Sequence, residues 1–363
     1  MLRRKLSTAV ALASAVTALT AVTAMACARG VHSTSPRAAA ASGLRFQTWL
    51  YPGGPGEPAC TAAAEYADDR VKTGSLNPEY WSVRSNGSVT LETTDDGTCN
   101  AYSPHNVADL KAHSAYQYPT LSGMTAADIH ALVSSETKRT AAIRKITSLV
   151  VGAGLSGVDV DLEDYWSWSA ADFTGYKTFL SRLAASLHSH RKRLQVDAPA
   201  MTEDASFYDY AAVSATGVDD LVIMAYDKEY DTESGKACLP IAPYGWLTKV
   251  ATYAQSKVPD PSRLIIALPS YGYIAPDPCD TSAIKGNIHF SDMKKGPRFA
   301  TAPATVENRR DPSSGEIRWT SGGKLYDYVD KTAMDRKLAL LTSLGVTKVS
   351  VWTLGGGNPW FTR

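Results

Sequence analysis

The chain has 363 residues, with 37 Lys or Arg against 36 Asp or Glu and a formal net charge of +1. Charges so nearly balanced provide no basic field for nucleic acid or an anionic membrane surface. The cysteine spacings do not suit zinc and no histidine cluster accompanies them, so neither a metal nor a cofactor is expected.

Residues 1–26 read as an export signal: Arg3, Arg4 and Lys5 lead an apolar run, Ala9 to Val22, that is too short and too rich in Ala and Thr to span a membrane. Ala24-Met25-Ala26 is a cleavage pattern. Cys27 directly after it opens a second possibility, a lipid anchor, although Ala24 and Met25 fit a lipobox poorly. Residues 27–43, with the run Ala38 to Ala41, read as a low-complexity tether. Arg3, Arg4, Lys5, Arg29 and Arg37 all precede residue 44 without a single acid, so the rest is mildly acidic and suits a neutral, polar partner. Residues 44–363 contain no Pro/Ser-rich linker and no internal repeat, and are expected to form one domain and a monomer. Cys60, Cys99, Cys238 and Cys279 in an exported chain read as two disulfides. Of the three pairings, proximity favours Cys60–Cys99 and Cys238–Cys279.

In chain order, strands are expected at Arg45–Leu50, Glu79–Val83 (ending near the turn pair Asn86-Gly87), Tyr116–Leu121, Gly157–Glu163, Leu194–Ala198, Asp220–Asp227, Leu264–Leu268 and Val346–Trp352. Helices are expected at Thr125–Val151, Phe173–His188, Gly245–Gln255 and Thr332–Leu344, the last capped by Gly345. This alternation gives a parallel sheet, and about eight strands make a (β/α)₈ barrel. No G-x-G-x-x-G or phosphate loop supports a nucleotide-binding open sheet. The stretch from Ile274 to Tyr326 is either an inserted subdomain after strand 7 or a long loop.

Gly157-Val158-Asp159-Val160-Asp161-Leu162-Glu163 carries the most chemistry. Acids at i, i+2 and i+4 alternate with aliphatics, so on a strand the three carboxylates share one face. Massed on a buried strand they repel and lose solvation, which is how a protein raises a carboxyl pKa to make a general acid. A wet edge strand or a calcium loop would show a similar pattern, but calcium loops need polar spacers and a Gly at the sixth position.

These residues resemble the D-G-x-D-x-D-x-E signature of glycoside hydrolase family 18, the chitinases and related N-acetylglucosaminidases. Met224-Ala225-Tyr226-Asp227, Leu268-Pro269-Ser270-Tyr271-Gly272 and Val349 to Gly356 resemble its sixth-, seventh- and eighth-strand motifs. Leu76 to Trp81 and the W-x-L-G-G ending resemble the bacterial spore-germination and cortex-lytic branch most. There are departures: Ser156 stands where the signature has its first Asp, and Tyr118 to Gly123 lacks the S-x-G-G motif of typical chitinases.

The resemblance implies a TIM barrel and a secreted retaining glycosidase acting on β-1,4 linkages of N-acetylglucosamine-containing glycans. It also implies substrate-assisted hydrolysis, an exception to the two-carboxylate scheme. Glu163 would be the acid and then the base. Asp161 would hold the acetamide N–H, Asp159 would share a proton with Asp161, and Tyr226 would orient the acetamide oxygen. Trp352 would form the floor under the sugar, and Asp227 and Tyr165 would line the site. The alternative is a carbohydrate-binding, lectin-like protein on the same barrel, but such members typically lack the acid.

Overall fold

A computed structural model describes residues 43–69, 73–258 and 260–361. The expected export signal, Cys27 and all of the tether but Gly43 lie outside the described residues. Eight parallel strands form the barrel: β1 (Arg45–Leu50), β2 (Ser75–Val83), β3 (Thr120–Gly123), β4 (Gly157–Leu162), β5 (Arg193–Pro199), β6 (Asp220–Met224), β7 (Leu264–Pro269) and β8 (Lys348–Leu354). Each pairs with the next, and β1 pairs with both β2 and β8, so the sheet closes.

Enclosure on both faces explains why β4 and β7 are buried along their whole length. The outer aliphatics Val158, Val160 and Leu162 share one core with Ile143, Ile146, Phe179 and Leu183 of the surrounding helices. Gly157 permits the approach of β4 to β5: a Cβ there would lie 2.1 Å from the Arg193 carbonyl oxygen.

Three expected elements are redrawn. The helix expected over 125–151 is two, Ala126–Val133 and Glu136–Gly152. Ser135 breaks it, its Oγ accepting the Lys138 N–H at 3.3 Å as an N-cap. The third strand divides at Pro119, which has no N–H for the ladder, into a short Tyr116–Gln117 pairing and β3. The sixth strand stops at Met224 because Asp227 already sits at a left-handed φ of 65°. The Asn86-Gly87 turn joins β2 to an antiparallel strand, Val89–Leu91.

The insertion after β7 is a subdomain. Its antiparallel sheet runs Lys285–Ile288, Gly272–Pro276, Lys324–Tyr328, Ile317–Ser321. It has its own apolar cluster of Met293, Ile317, Trp319, Tyr326 and Tyr328. Both disulfides are present as paired above, Cys60–Cys99 and Cys238–Cys279, and the second ties the loop after β6 to the insertion. No helix among the described residues is long and apolar enough to cross a membrane.

Candidate active site

At the C-terminal ends of the strands, β4 delivers the three acids at graded depth. Asp159 is wholly buried, Asp161 is nearly so, and Glu163, one residue past the strand, is half-buried. The Glu163 N–H donates to the Gly123 carbonyl at 2.8 Å, which fixes where the strand ends. Asp164 then turns the chain at a φ of 56°, and its carboxylate accepts from the Ala126 N–H at 2.9 Å and from Ser167 Oγ at 2.7 Å. The loop carrying Tyr165, Trp166 and Trp168 is thereby anchored to the helix after β3.

Asp159 is held by neutral donors. Trp49 Nε1 lies at 2.8 Å, Thr120 Oγ1 at 3.0 Å and Asn77 Nδ2 at 3.4 Å, all on one oxygen. Burial pushes its pKa up, and these donors pull it part of the way back. Asp197 on the neighbouring strand β5 lies close enough for the charges of Asp159 and Asp161 to act on it. Asp197 is buried, finds no donor among the described residues, and is pushed well up by burial and by the charges of Asp159 and Asp161. Asp161 meets Asp159 only through space; burial, Glu163, Glu79 and Asp159 together push it well up.

Glu163 is raised to about 7, by burial first and by the Asp227 charge second. Asp227 is itself raised by burial, against a hydrogen bond donated by Tyr271. Tyr226 stands edge-on to Tyr271 at 6.2 Å. Tyr226 and Trp352 both pack on a small cluster inside the barrel formed by Trp49, Val222, Ile265 and Ala267. Trp352 is half-buried, edge-on to Trp49 at 5.6 Å and to Tyr51 at 6.2 Å, and donates from Nε1 to Asn287 Oδ1 of the insertion at 3.1 Å.

Glu163, Asp161, Asp159, Tyr226, Asp227 and Trp352 are therefore brought together. Tyr165 is not exposed among them. It is only 1% accessible, packs against Trp168 and Tyr208, and donates to the Asp197 carbonyl at 3.3 Å, so it supports the loop from beneath. The exposed ring of that loop is Trp166, at 68%. Ser156 lies at the opposite end of β4, its Oγ accepting the Gln117 N–H at 3.1 Å, far along the strand from Glu163.

Five contributors escaped the sequence reading: Trp49, Asn77, Glu79, Thr120 and Asp197. Glu79 is buried and raised to about 8 by burial and by Glu163 and Asp159, with Ser122 pulling against them. Gln195-Val196-Asp197 carried the same alternating polar signal as β4 in a weaker form, and Asn77 and Glu79 alternate likewise along β2.

The model of "Glycosyl hydrolases family 18" matches residues 78–356. "Putative sporulation-specific glycosylase YdhD" of Bacillus subtilis is 26% identical over 301 residues, 80% of this chain and 69% of that protein. A chitinase from Chromobacterium violaceum superposes with a TM-score of 0.67 at 18% identity, over 88% of this chain and 96% of that one. The spore cortex-lytic enzyme SleL of Bacillus cereus superposes at 0.66 and 18% identity, over 87% of this chain and 72% of that one. At such identities the superpositions speak for the fold. With the family model spanning all eight-strand motifs but the first strand, the chain belongs to glycosyl hydrolases family 18 and is a glycoside hydrolase.

Proposed function

We propose that this chain is an exported, retaining glycosidase that cleaves β-1,4 bonds beside N-acetylglucosamine-type sugars, using the sugar's own acetamide. The observation that carries the reading is the electrostatic grading along β4. Glu163 reaches the cleft with its pKa raised to about 7, while Asp161 and Asp159 lie progressively deeper. A half-exposed carboxyl titrating near neutrality is matched to a proton-transfer role.

In the proposed cycle Glu163 gives its proton to the leaving glycosidic oxygen as the C1–O bond breaks. The acetamide carbonyl oxygen bonds to C1 and forms an oxazolinium ion. Asp161 accepts the acetamide N–H and stabilises that cation. Tyr226 donates to the acetamide oxygen, and Trp352 provides the apolar floor. Asp159 shares a proton with Asp161 and so raises the pKa of the group. Glu163, now ionised, takes a proton from the water that opens the ring, and the β-configuration returns.

Two disulfides accord with an oxidising compartment and so with export. The test is a side-by-side digest of chitin oligomers, peptidoglycan, a high-mannose glycoprotein and cellulose oligomers. Release is expected only from the substrates bearing 2-acetamido sugars. Ready cleavage of cellulose oligomers contradicts the mechanism, and binding without any turnover favours a lectin.

A further inference from the structure

At the end of the barrel away from these acids, the strand starts enclose a second cavity of about 350 Å³. Its walls include Arg45, Gln47, Tyr116, Tyr118, Arg193, Gln195, Asp220 and Lys348. Its size lies within the range of small-molecule sites.

The inner wall has a fixed polarity. Asn77 Nδ2 donates both to Asp159 and, at 3.2 Å, to Gln195 Oε1. Ser75 Oγ donates to Asn77 Oδ1 at 3.1 Å, which fixes that amide the same way round. Gln195 Nε2 in turn donates to Gln47 Oε1 at 3.2 Å. A chain of amides that ends on a carboxylate can run in one direction only, because the carboxylate accepts. Its far end must therefore be a donor. That donor is Gln47 Nε2, on a residue 5% accessible, and it has no partner. A buried amide left unmatched costs about 1–3 kcal/mol, so the inner wall favours a ligand that accepts.

The charged groups agree. Three cations, Arg45, Arg193 and Lys348, line the cavity with one carboxylate, Asp220. Arg193 at 3.0 Å and Lys348 at 2.5 Å already share Asp220, and Asp219 faces Arg193 from outside at 3.7 Å. Arg45 is exposed and has no partner among the described residues. At the rim Tyr116, 55% accessible, stacks on buried Tyr118 with ring centroids 6.5 Å apart and planes 23° from parallel. An exposed ring held flat by a second ring is a platform for the C–H face of a sugar.

We propose that this cavity is a second ligand site, separate from the cleft, for a sugar that carries a carboxylate. The carboxylate meets Arg45 and the Gln47 amide, and the sugar ring lies on Tyr116. Only the choice of sugar rests on the glycan-cleaving function proposed above.

The test is calorimetric titration of the full-length Glu163→Gln chain with N-acetylmuramic acid, and with N-acetylglucosamine as the neutral comparator. The acid sugar should bind with a Kd of roughly 1 mM or tighter. Arg45→Glu and Tyr116→Ala, both at exposed positions, should each weaken it about tenfold, some 1.4 kcal/mol. In the otherwise wild-type chain neither substitution should alter turnover of chitin oligomers. No saturable binding, equal affinity for the neutral sugar, or indifference to both substitutions overturns the site. A loss of oligomer turnover in either variant overturns its separateness from the cleft. Absence of turnover in the wild type would count against the proposed reaction alone, since the titration does not depend on it.

Discussion

Inside the barrel, Glu79, Asp159, Asp161, Glu163 and Asp197 crowd together, and no Lys or Arg among the described residues pairs with any of them. The hydrogen-bond donors to Asp159 are neutral: Trp49, Asn77 and Thr120. Where the insertion joins the barrel, buried Glu316 and Asp327 are met by cations. Lys337 Nζ lies 2.8 Å from Glu316 and Arg318 Nε lies 2.7 Å from Asp327. Glu316 also accepts the Ile241 and Ala242 N–H groups at 2.8 and 2.9 Å, which holds the loop after β6. These cations make the pairs structural, although burial and the Glu316 charge still push Asp327 well up against the pull of Arg318. In the barrel, burial and like charges raise the acids and make their protons available for transfer, and the neutral donors pull Asp159 only part of the way back. The two clusters should therefore respond in opposite ways when an ionisable group is removed.

The largest effect belongs to the barrel cluster. Glu163→Gln should keep the fold and glycan binding and lose turnover by about 10²–10⁴-fold or more. A variant that kept a tenth of wild-type turnover would remove Glu163 from the role of acid. In the insertion cluster the loss should appear as stability. Lys337→Met strands Glu316 in a site where both side chains are wholly buried, a change that typically costs about 3–5 kcal/mol. Denaturant unfolding that shows no loss would erase the contrast.

Asp197→Asn should do the reverse of Lys337→Met. In the folded state Asp197 has a raised pKa and holds its proton, while the unfolded chain releases it above the ordinary carboxylate range. Its burial therefore lowers stability progressively as pH rises past that range. The asparagine variant should be the more stable of the two at neutral pH and should lose that advantage at acid pH. A destabilised variant at pH 7 would show that the fold gains from the Asp197 carboxyl and would contradict this reading.

The finest distinction is a shift of the pH profile. The alkaline limb of kcat/KM should fall as Glu163 loses its proton, through about pH 7. Burial is the main cause of that value and the Asp227 charge the second, so Asp227→Asn should move the limb to lower pH. An unmoved limb would assign it to another group, Glu79 being the neighbour raised to about 8.

Local chemistry made much of this legible in the sequence. The strict alternation of β4 announced both its burial and its acids, and the motifs after β6 and β7 and along β8 placed Tyr226, Asp227 and Trp352 at the same barrel end. The expected export signal and the cysteine spacing pointed to the two disulfides. What stayed hidden depends on contacts across the barrel. Trp49, Asn77 and Thr120 come from three different strands, and only closure of the sheet brings them onto one oxygen of Asp159. The influence of Asp159 and Asp161 on Asp197 likewise follows from the way neighbouring strands bring their inward side chains together, which no spacing along β4 could reveal. Tyr165 and Trp166 are adjacent aromatics of similar character, and only the turn at Asp164 decides which is buried and which is exposed.

The central claim is that Glu163 works with the substrate's acetamide and not with a second carboxylate as nucleophile. Asp161 precedes Glu163 by two residues along the same chain segment, so on the proposed mechanism both would approach the bond from one side. Proton NMR of a chitin oligomer digest in its first minutes reads the newly formed anomer before mutarotation. The account predicts the β-anomer first, together with inhibition by a thiazoline mimic of the oxazolinium ion. An α-anomer as first product would contradict it.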